Sequence, residues 1–229
     1  MRKRGSWARI AALAALLPMA LPLAGTAAAP ALAAARSFTA TVYWDATWAQ
    51  FQVVDALPLR AAGLVQETRE LSIDIAAPRE TVFDLYSNVY HALGRHSYLR
   101  EILAIRCGPD HFDFTAIEDV PLGPVVLPLR TVSRQVFRRP ESYTADTYDR
   151  PMTITHQTIR FTALSPTLTR VVETLVFESS PLLIGLAVSG GVEAHTAVQQ
   201  SLKAAIEAGE LVPVPFPDNL PIACSAAAP

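Results

Sequence analysis

The chain has 229 residues, of which 51% are hydrophobic and 17% charged, with a formal net charge of -2. That apolar fraction excludes a wholly disordered or collagen-like chain, and the length suits one domain or two small ones. Beyond residue 35 the balance is 15 basic against 21 acidic side chains, which argues against electrostatic binding to nucleic acid or anionic lipid.

Residues 1–35 read as a cleavable export signal. Arg2, Lys3, Arg4 and Arg9 form a basic start, residues 10–24 an apolar stretch, and residues 25–35 a run of small residues. The apolar stretch carries Pro18 and Pro22 and is short for a bilayer span. Cleavage after Ala33 or Ala35 satisfies the A-x-A rule, so a secreted or extracytoplasmic protein without a stable membrane span is expected. Export implies an oxidising compartment. The two cysteines, Cys107 and Cys224, are then either two free thiols or one disulfide, worth up to ~4–5 kcal/mol in the chain-entropy picture.

Residues 36–63 form an N-terminal extension. SFTATVYWD reads as a short strand, and Trp48, Phe51 and Val54 recur at helical spacing before Pro58. From residue 64 the order is regular. Leu71, Ile73 and Ile75 alternate on a strand; Pro78 and Glu80 mark a helix start; Val82, Leu85, Tyr86 and Val89 form one helical face. A short helix is expected at 95–102. Strands are expected at about 103–107, 111–119, 125–138, 142–149, 152–164 and 168–179, separated by turns such as Gly108-Pro109-Asp110 and Arg139-Pro140-Glu141. A last helix carries Val192, Val198, Leu202, Ala205 and Ile206, with Gly209 as its cap. The apolar run 181–191 before it is either the first half of that helix or a separate lid. The tail, 211–229, is rich in Pro and Ala and reads as extended.

Strand, helices, antiparallel strands and closing helix make an α+β chain. Within it, Ala77, Pro78, Glu80, Val82, Phe83 and Leu85 follow a strand, and Leu202-Lys203 and Ile206-Glu207 sit in the last helix. These features resemble the START-like (SRPBCC) superfamily over residues 64–210. The resemblance implies a helix-grip fold: a curved antiparallel sheet wrapped around a long C-terminal helix, with an internal cavity. That superfamily includes lipid carriers, pollen-allergen-like proteins and polyketide cyclase/dehydrases, and shares no universal catalytic motif.

No nucleophile elbow, zinc-protease helix or phosphate loop occurs, and the five histidines do not fall at metal-ligand spacing on any one element. No cofactor and no metal are expected. The candidate site is therefore the inner wall. Alternation places Phe112 and Phe114, then Leu129 and Ser133, then Gln157, Ile159 and Phe161, then Leu175 and Phe177 on it, with Leu202 facing from the helix. Glu118 lies on the same side. Glu173 falls among Val171, Leu175 and Phe177. A carboxyl there has a raised pKa and can act as acid or base; alternatively it pairs with an Arg such as Arg160, or a bulge turns it to solvent. His96 and Tyr98 lie beside the cavity mouth that this fold provides. They either protonate or orient a ligand oxygen, or are a solvated His and a core Tyr.

Two functions follow. One is an exported binder of a bulky hydrophobic small molecule, lipid or polyketide-like. The other is a polyketide cyclase, dehydratase or aromatase using Glu173, His96 and Tyr98. A weaker third is an envelope interaction module that docks through residues 36–63. Oligomeric state is not legible.

Overall fold

Alternation of period two runs through seven segments, and all seven are strands. The computed structural model describes residues 28–122, 124–149 and 153–213. In chain order these form α1 (Ala28–Asp55), α2 (Leu59–Ala62), β1 (Val65–Ile75), α3 (Arg79–Tyr86), a 3-10 turn (Val89–Ala92), β2 (Leu99–Cys107), β3 (His111–Leu122), β4 (Val125–Arg138), β5 (Ser142–Asp149), β6 (Thr153–Ser165), β7 (Leu168–Ser179) and α4 (Ile184–Glu207). The strands make one antiparallel sheet in the order β1-β7-β6-β5-β4-β3-β2. Only β1 pairs out of sequence, closing against β7. With α4 laid over the inner face, this is the helix-grip arrangement expected from the sequence.

The inner face is filled unevenly. At one end α3 and the last turns of α4 bring Phe83, Leu85, Leu202 and Ile206 against Ile75, Phe112, Phe137, Ile159, Phe161 and Val171. Phe161 meets Phe83 and Tyr86 edge-on. Polar ties hold this end shut. Asp84 of α3 takes two hydrogen bonds from Arg139, at 2.7 and 2.8 Å. The Lys203 ammonium donates to the Asp74 carbonyl at 2.7 Å, and Glu207 accepts from the Ala76 amide at 2.7 Å. The other end of the same face is left open.

Residues 36–55 belong to α1, and no strand forms at 37–45. Ala40, Trp44, Thr47, Trp48 and Phe51 recur every three to four residues and are all buried. They pack against Val132, Tyr148 and Ile154 on the outer face of the sheet. The β-propensity of the Thr-Val-Tyr stretch loses to this helical stripe because only the helix buries both tryptophans. Trp44 and Trp48 stack with centroids 5.0 Å apart. Arg106 and Arg134 lie over Trp44 at 5.1 and 5.4 Å, and the Trp44 indole donates to the Ser133 carbonyl at 3.3 Å. The extension thus packs on the outer face of its own sheet, while Phe38, Val42 and Val53 on it stay exposed.

The helix expected at 95–102 is absent. That stretch is turn followed by the start of β2, stabilised by its ladder to β3. Residues 184–207 form one continuous helix, so the lid alternative falls. Gly191 is needed within it: a β-carbon there would sit 2.5 Å from the Phe177 ring. Gly209, at φ 68°, closes the helix. Its amide donates to the Ile206 carbonyl and the Glu210 amide to that of Ala205, the paired bonds of a left-handed cap.

Cys107 is disulfide-bonded; Cys224, with the rest of the tail beyond residue 213 and the export segment before residue 28, lies outside the described residues. Among the described residues no helix is long and apolar enough to cross a membrane.

Candidate functional site

The open end of the inner face is a cavity of about 500 Å³ between the sheet and α4. Its apolar wall includes Leu99, Phe114, Leu129, Phe177, Val198 and Leu202. Of the residues that the sequence placed inward, Phe114, Leu129, Ser133, Gln157, Phe177 and Leu202 line it, as do Glu173, His96 and Tyr98. Phe112, Ile159, Phe161 and Leu175 do not. They share the face by alternation, but Phe112, Ile159 and Phe161 lie in the packed end beneath α3, while Leu175 is buried with Ile184 and Val188 under the start of α4. Alternation selects a face and not a position along it.

Glu173 is the centre of the polar part. β7 carries it inward between Val171 and Leu175, and it is 1% exposed. Its Oε1 accepts from Gln157 of β6 and meets His195 Nδ1 at 2.6 Å; its Oε2 accepts from Gln199 at 2.7 Å. His195 and Gln199 are four residues apart on α4 and so share one face. Arg160 has no part in this. Burial by itself pushes the Glu173 carboxyl up. The charge of His195 and the hydrogen bonds from His195, Gln157 and Gln199 outweigh it and hold the group below its ordinary range. The raised pKa expected for Glu173 is therefore corrected: it is an anion paired with an imidazolium. Burial pulls His195 down, but attraction and hydrogen bonding to Glu173, with a further contribution from Glu118, hold it above its ordinary value.

His96 is the electrostatic opposite. Its ring lies edge-on to His195, centroids 5.9 Å apart. Burial, then the charge on His195, push it down to about 4, against the pull of Glu173. Its Nδ1 accepts from the Tyr98 and Leu99 amides, each at 3.2 Å. Neutral His96 thus carries its proton on Nε2. Tyr98, edge-on to His96 at 5.9 Å, stays a phenol: partial burial, then Glu193 and Glu118, raise it.

The carboxyl with a raised pKa is Glu118 on β3. Burial and the neighbouring Asp149 of β5 lift it to about 8, against His195. Burial lifts Asp149 to about 6. Both line the cavity, and no Lys or Arg does so among the described residues. On the same wall Gln135 Oε1 is buried without a hydrogen bond among the described residues, and the Thr131 hydroxyl interacts with the Asp149 carboxyl, which works against the effect of burial. Buried polar atoms without partners are costly, and an occupant can supply the partners.

His195, Gln199 and Asp149 were not singled out from the sequence. A signal for the first two existed. Val192, His195, Gln199, Leu202 and Ile206 are spaced three and four apart, so the stripe read from its apolar members also contains the two polar ones. Asp149 ends a short strand, where no pattern separates a wall residue from a turn residue.

No family model matches the sequence, and no curated protein shows significant similarity to it. Solved structures do share the fold. A Thermus thermophilus protein is 16% identical, with 63% of this chain and 100% of that one covered and a TM-score of 0.53. The Zhui aromatase/cyclase from Streptomyces sp. R1128 is 15% identical, with 65% and 100% covered and a TM-score of 0.52. A START superfamily protein from Mycobacterium smegmatis is 12% identical, with 62% and 97% covered and a TM-score of 0.50. At such identity the likeness speaks to architecture: the chain has the START-like helix-grip fold.

Proposed function

We propose that this protein holds a bulky hydrophobic molecule with an oxygen-bearing end, lipid or polyketide-like, in the cavity under α4. The observation that carries this is the wall itself: a volume of about 500 Å³, mostly apolar, with buried polar groups gathered on one side. The aliphatic and aromatic wall favours the ligand body by burial. The Nε2–H of His96 and the charged His195 ring offer donors to a carbonyl or hydroxyl. Export belongs to the proposal, supported by the three-part pattern of residues 1–35. A mature N-terminus at Ala34 or Arg36 is the expected product.

The test is native mass spectrometry of the protein secreted by its own host, with extraction of what is bound. A co-purifying lipid or polyketide in near-stoichiometric amount supports the reading and names the ligand class. Protein that is empty, and that fails to take up fatty acids or aromatic polyketides added at high concentration, overturns it.

A second reading is a cyclase, dehydratase or aromatase-type enzyme acting on such a ligand. One observation favours it: the cavity combines a protonated carboxyl, Glu118 with its pKa near 8, a carboxylate–imidazolium pair and a neutral imidazole donor. Groups whose pKa values are pushed apart in one site are what proton transfer needs. Here the His195 imidazolium, oriented by Glu173, would stabilise a developing enolate oxygen. The Glu118–Asp149 pair would exchange the proton at carbon or at a leaving hydroxyl. The fold shared with an aromatase/cyclase is compatible with this. Glu173→Gln separates the readings. It keeps the shape and removes the charge that holds His195 protonated. Under the enzyme reading turnover falls by about 10²–10⁴-fold while ligand affinity changes little. Intact turnover would remove the assignment.

A further inference from the structure

We propose that Asp55, His156 and Glu178 form a site for a divalent transition-metal ion of the zinc type on the outer face of the sheet. His156 lies between Thr155 and Gln157, which line the cavity, so it points to the opposite face. There, β6 supplies His156, β7 supplies Glu178 and the last residue of α1 supplies Asp55. One donor atom from each of the three lies within 4.8 Å of the others. His156 Nε2 is 3.4 Å from Asp55 Oδ1 and 4.0 Å from Glu178 Oε1. A tetrahedral ion with bonds of ~2.0–2.1 Å separates its ligands by roughly 3.3–3.5 Å. One edge already has that length. Rotation of Asp55, an exposed side chain at a helix end, brings its carboxylate toward Glu178, a small shift of the His156 ring shortens the 4.0 Å edge, and water completes the set.

The surrounding groups are those that orient metal ligands. Asp146 on β5 meets His156 Nδ1 at 2.8 Å, which leaves Nε2 to face the ion. Gln66 on β1 donates to Glu178 Oε1 at 2.7 Å and fixes the one carboxylate that is almost fully buried. Carboxylate–histidine–metal relays of this form raise ligand basicity and fix the ring. A mixed His and carboxylate set suits zinc and its neighbours better than calcium or magnesium.

Three carboxylates, those of Asp146, Asp55 and Glu178, converge on the one imidazole at 2.8, 3.4 and 4.0 Å, and the nearby Arg134 guanidinium is held by Asp113. Asp55 also closes a 28-residue helix. The dipole there is negative and disfavours a carboxylate while favouring a cation. An ion there pins the end of α1 to two strands of the sheet, next to Phe51, whose ring is 6.3 Å from His156. The role is structural, since the site is on the face away from the cavity, and it does not depend on the ligand-binding reading.

The experiment uses the full chain, stripped of metal and titrated with Zn²⁺ alone by calorimetry, and with Co²⁺ for its visible spectrum. The expected result is one equivalent bound, a rise in Tm, and a four-coordinate Co²⁺ spectrum. Asp55→Asn and His156→Ala should each weaken binding about tenfold or more and abolish the rise in Tm; His111→Ala should change neither. Asp55→Asn alters only an exposed helix end, so it remains informative if His156→Ala folds poorly. Failure of the wild type to bind a stoichiometric ion, or binding that survives both variants, would overturn the proposal.

Discussion

At the scale of single residues, the cavity shows that burial alone does not decide a charge. Glu173 is the more deeply buried carboxyl, yet it is ionised, because His195, Gln157 and Gln199 all address it. Glu118 meets another carboxyl instead and keeps its proton to about pH 8. The consequence for stability has a definite sign. The native state holds that proton between about pH 4.5 and 8, whereas the unfolded chain has released it, so stability falls as pH rises through this window. Glu118→Gln should therefore match the wild type at pH 4 and exceed it at pH 8 by about 1–3 kcal/mol, as read from chemical denaturation at the two pH values. Equal stability at both would mean that Glu118 is ionised at neutral pH.

At the scale of elements, α1 and α4 depend on a few close contacts. Trp44 is 2% exposed, stacked on Trp48 and flanked by two arginines. Trp44→Ala should cost about 3–5 kcal/mol in thermal or urea unfolding. A loss below about 1 kcal/mol would mean that α1 is not docked on the sheet in solution. In α4 the two adjacent glycines should behave differently. At Gly191 a methyl group meets the Phe177 ring at 2.5 Å, whereas at Gly190 the nearest atoms, on Tyr98, are 3.7 Å away. Gly191→Ala should destabilise by about 1–3 kcal/mol through overpacking. Gly190→Ala should be neutral or stabilise by up to ~1 kcal/mol through helix propensity. Equal effects would show that α4 does not lie against Phe177 as described.

At the scale of the whole molecule, one sheet has both faces in use. The outer face carries α1 over Val132, Tyr148 and Ile154, and the inner face is half core and half cavity. The two halves meet at Leu202 and Phe114, which belong to both, while Leu129, Ser133, Thr147 and Gln157 line the cavity alone. Ala145 lies on β5 between Gln135 and Gln157 in register, 4% exposed and on the cavity wall. Ala145→Leu should leave the circular dichroism spectrum unchanged and weaken binding of the extracted ligand by at least about tenfold, the effect of a few misplaced methylenes. Unchanged affinity would place the ligand elsewhere.

Much of this architecture was written locally. The alternation of Ile159, Phe161, Val171 and Leu175, the turns between strands, the helical stripe ending at Ile206 and the glycine after it specify strand, hairpin and helix through interactions within a few residues. The inward placement of Glu173, Gln157 and Glu118 follows from the same periodicity, whereas His96 lies in the turn before β2. Three things did not. Residues 37–45 read as a strand until the outer face of the sheet offered Trp44 a partner. The division of the inner face into core and cavity depends on where α3 lands, which no strand encodes. The ionisation of Glu173 and the convergence of Asp55, His156 and Glu178 depend on residues far apart in the chain. Periodicity decides which way a side chain points, because backbone geometry repeats locally. What it meets there, and so its charge and its chemistry, is decided only when distant segments pack.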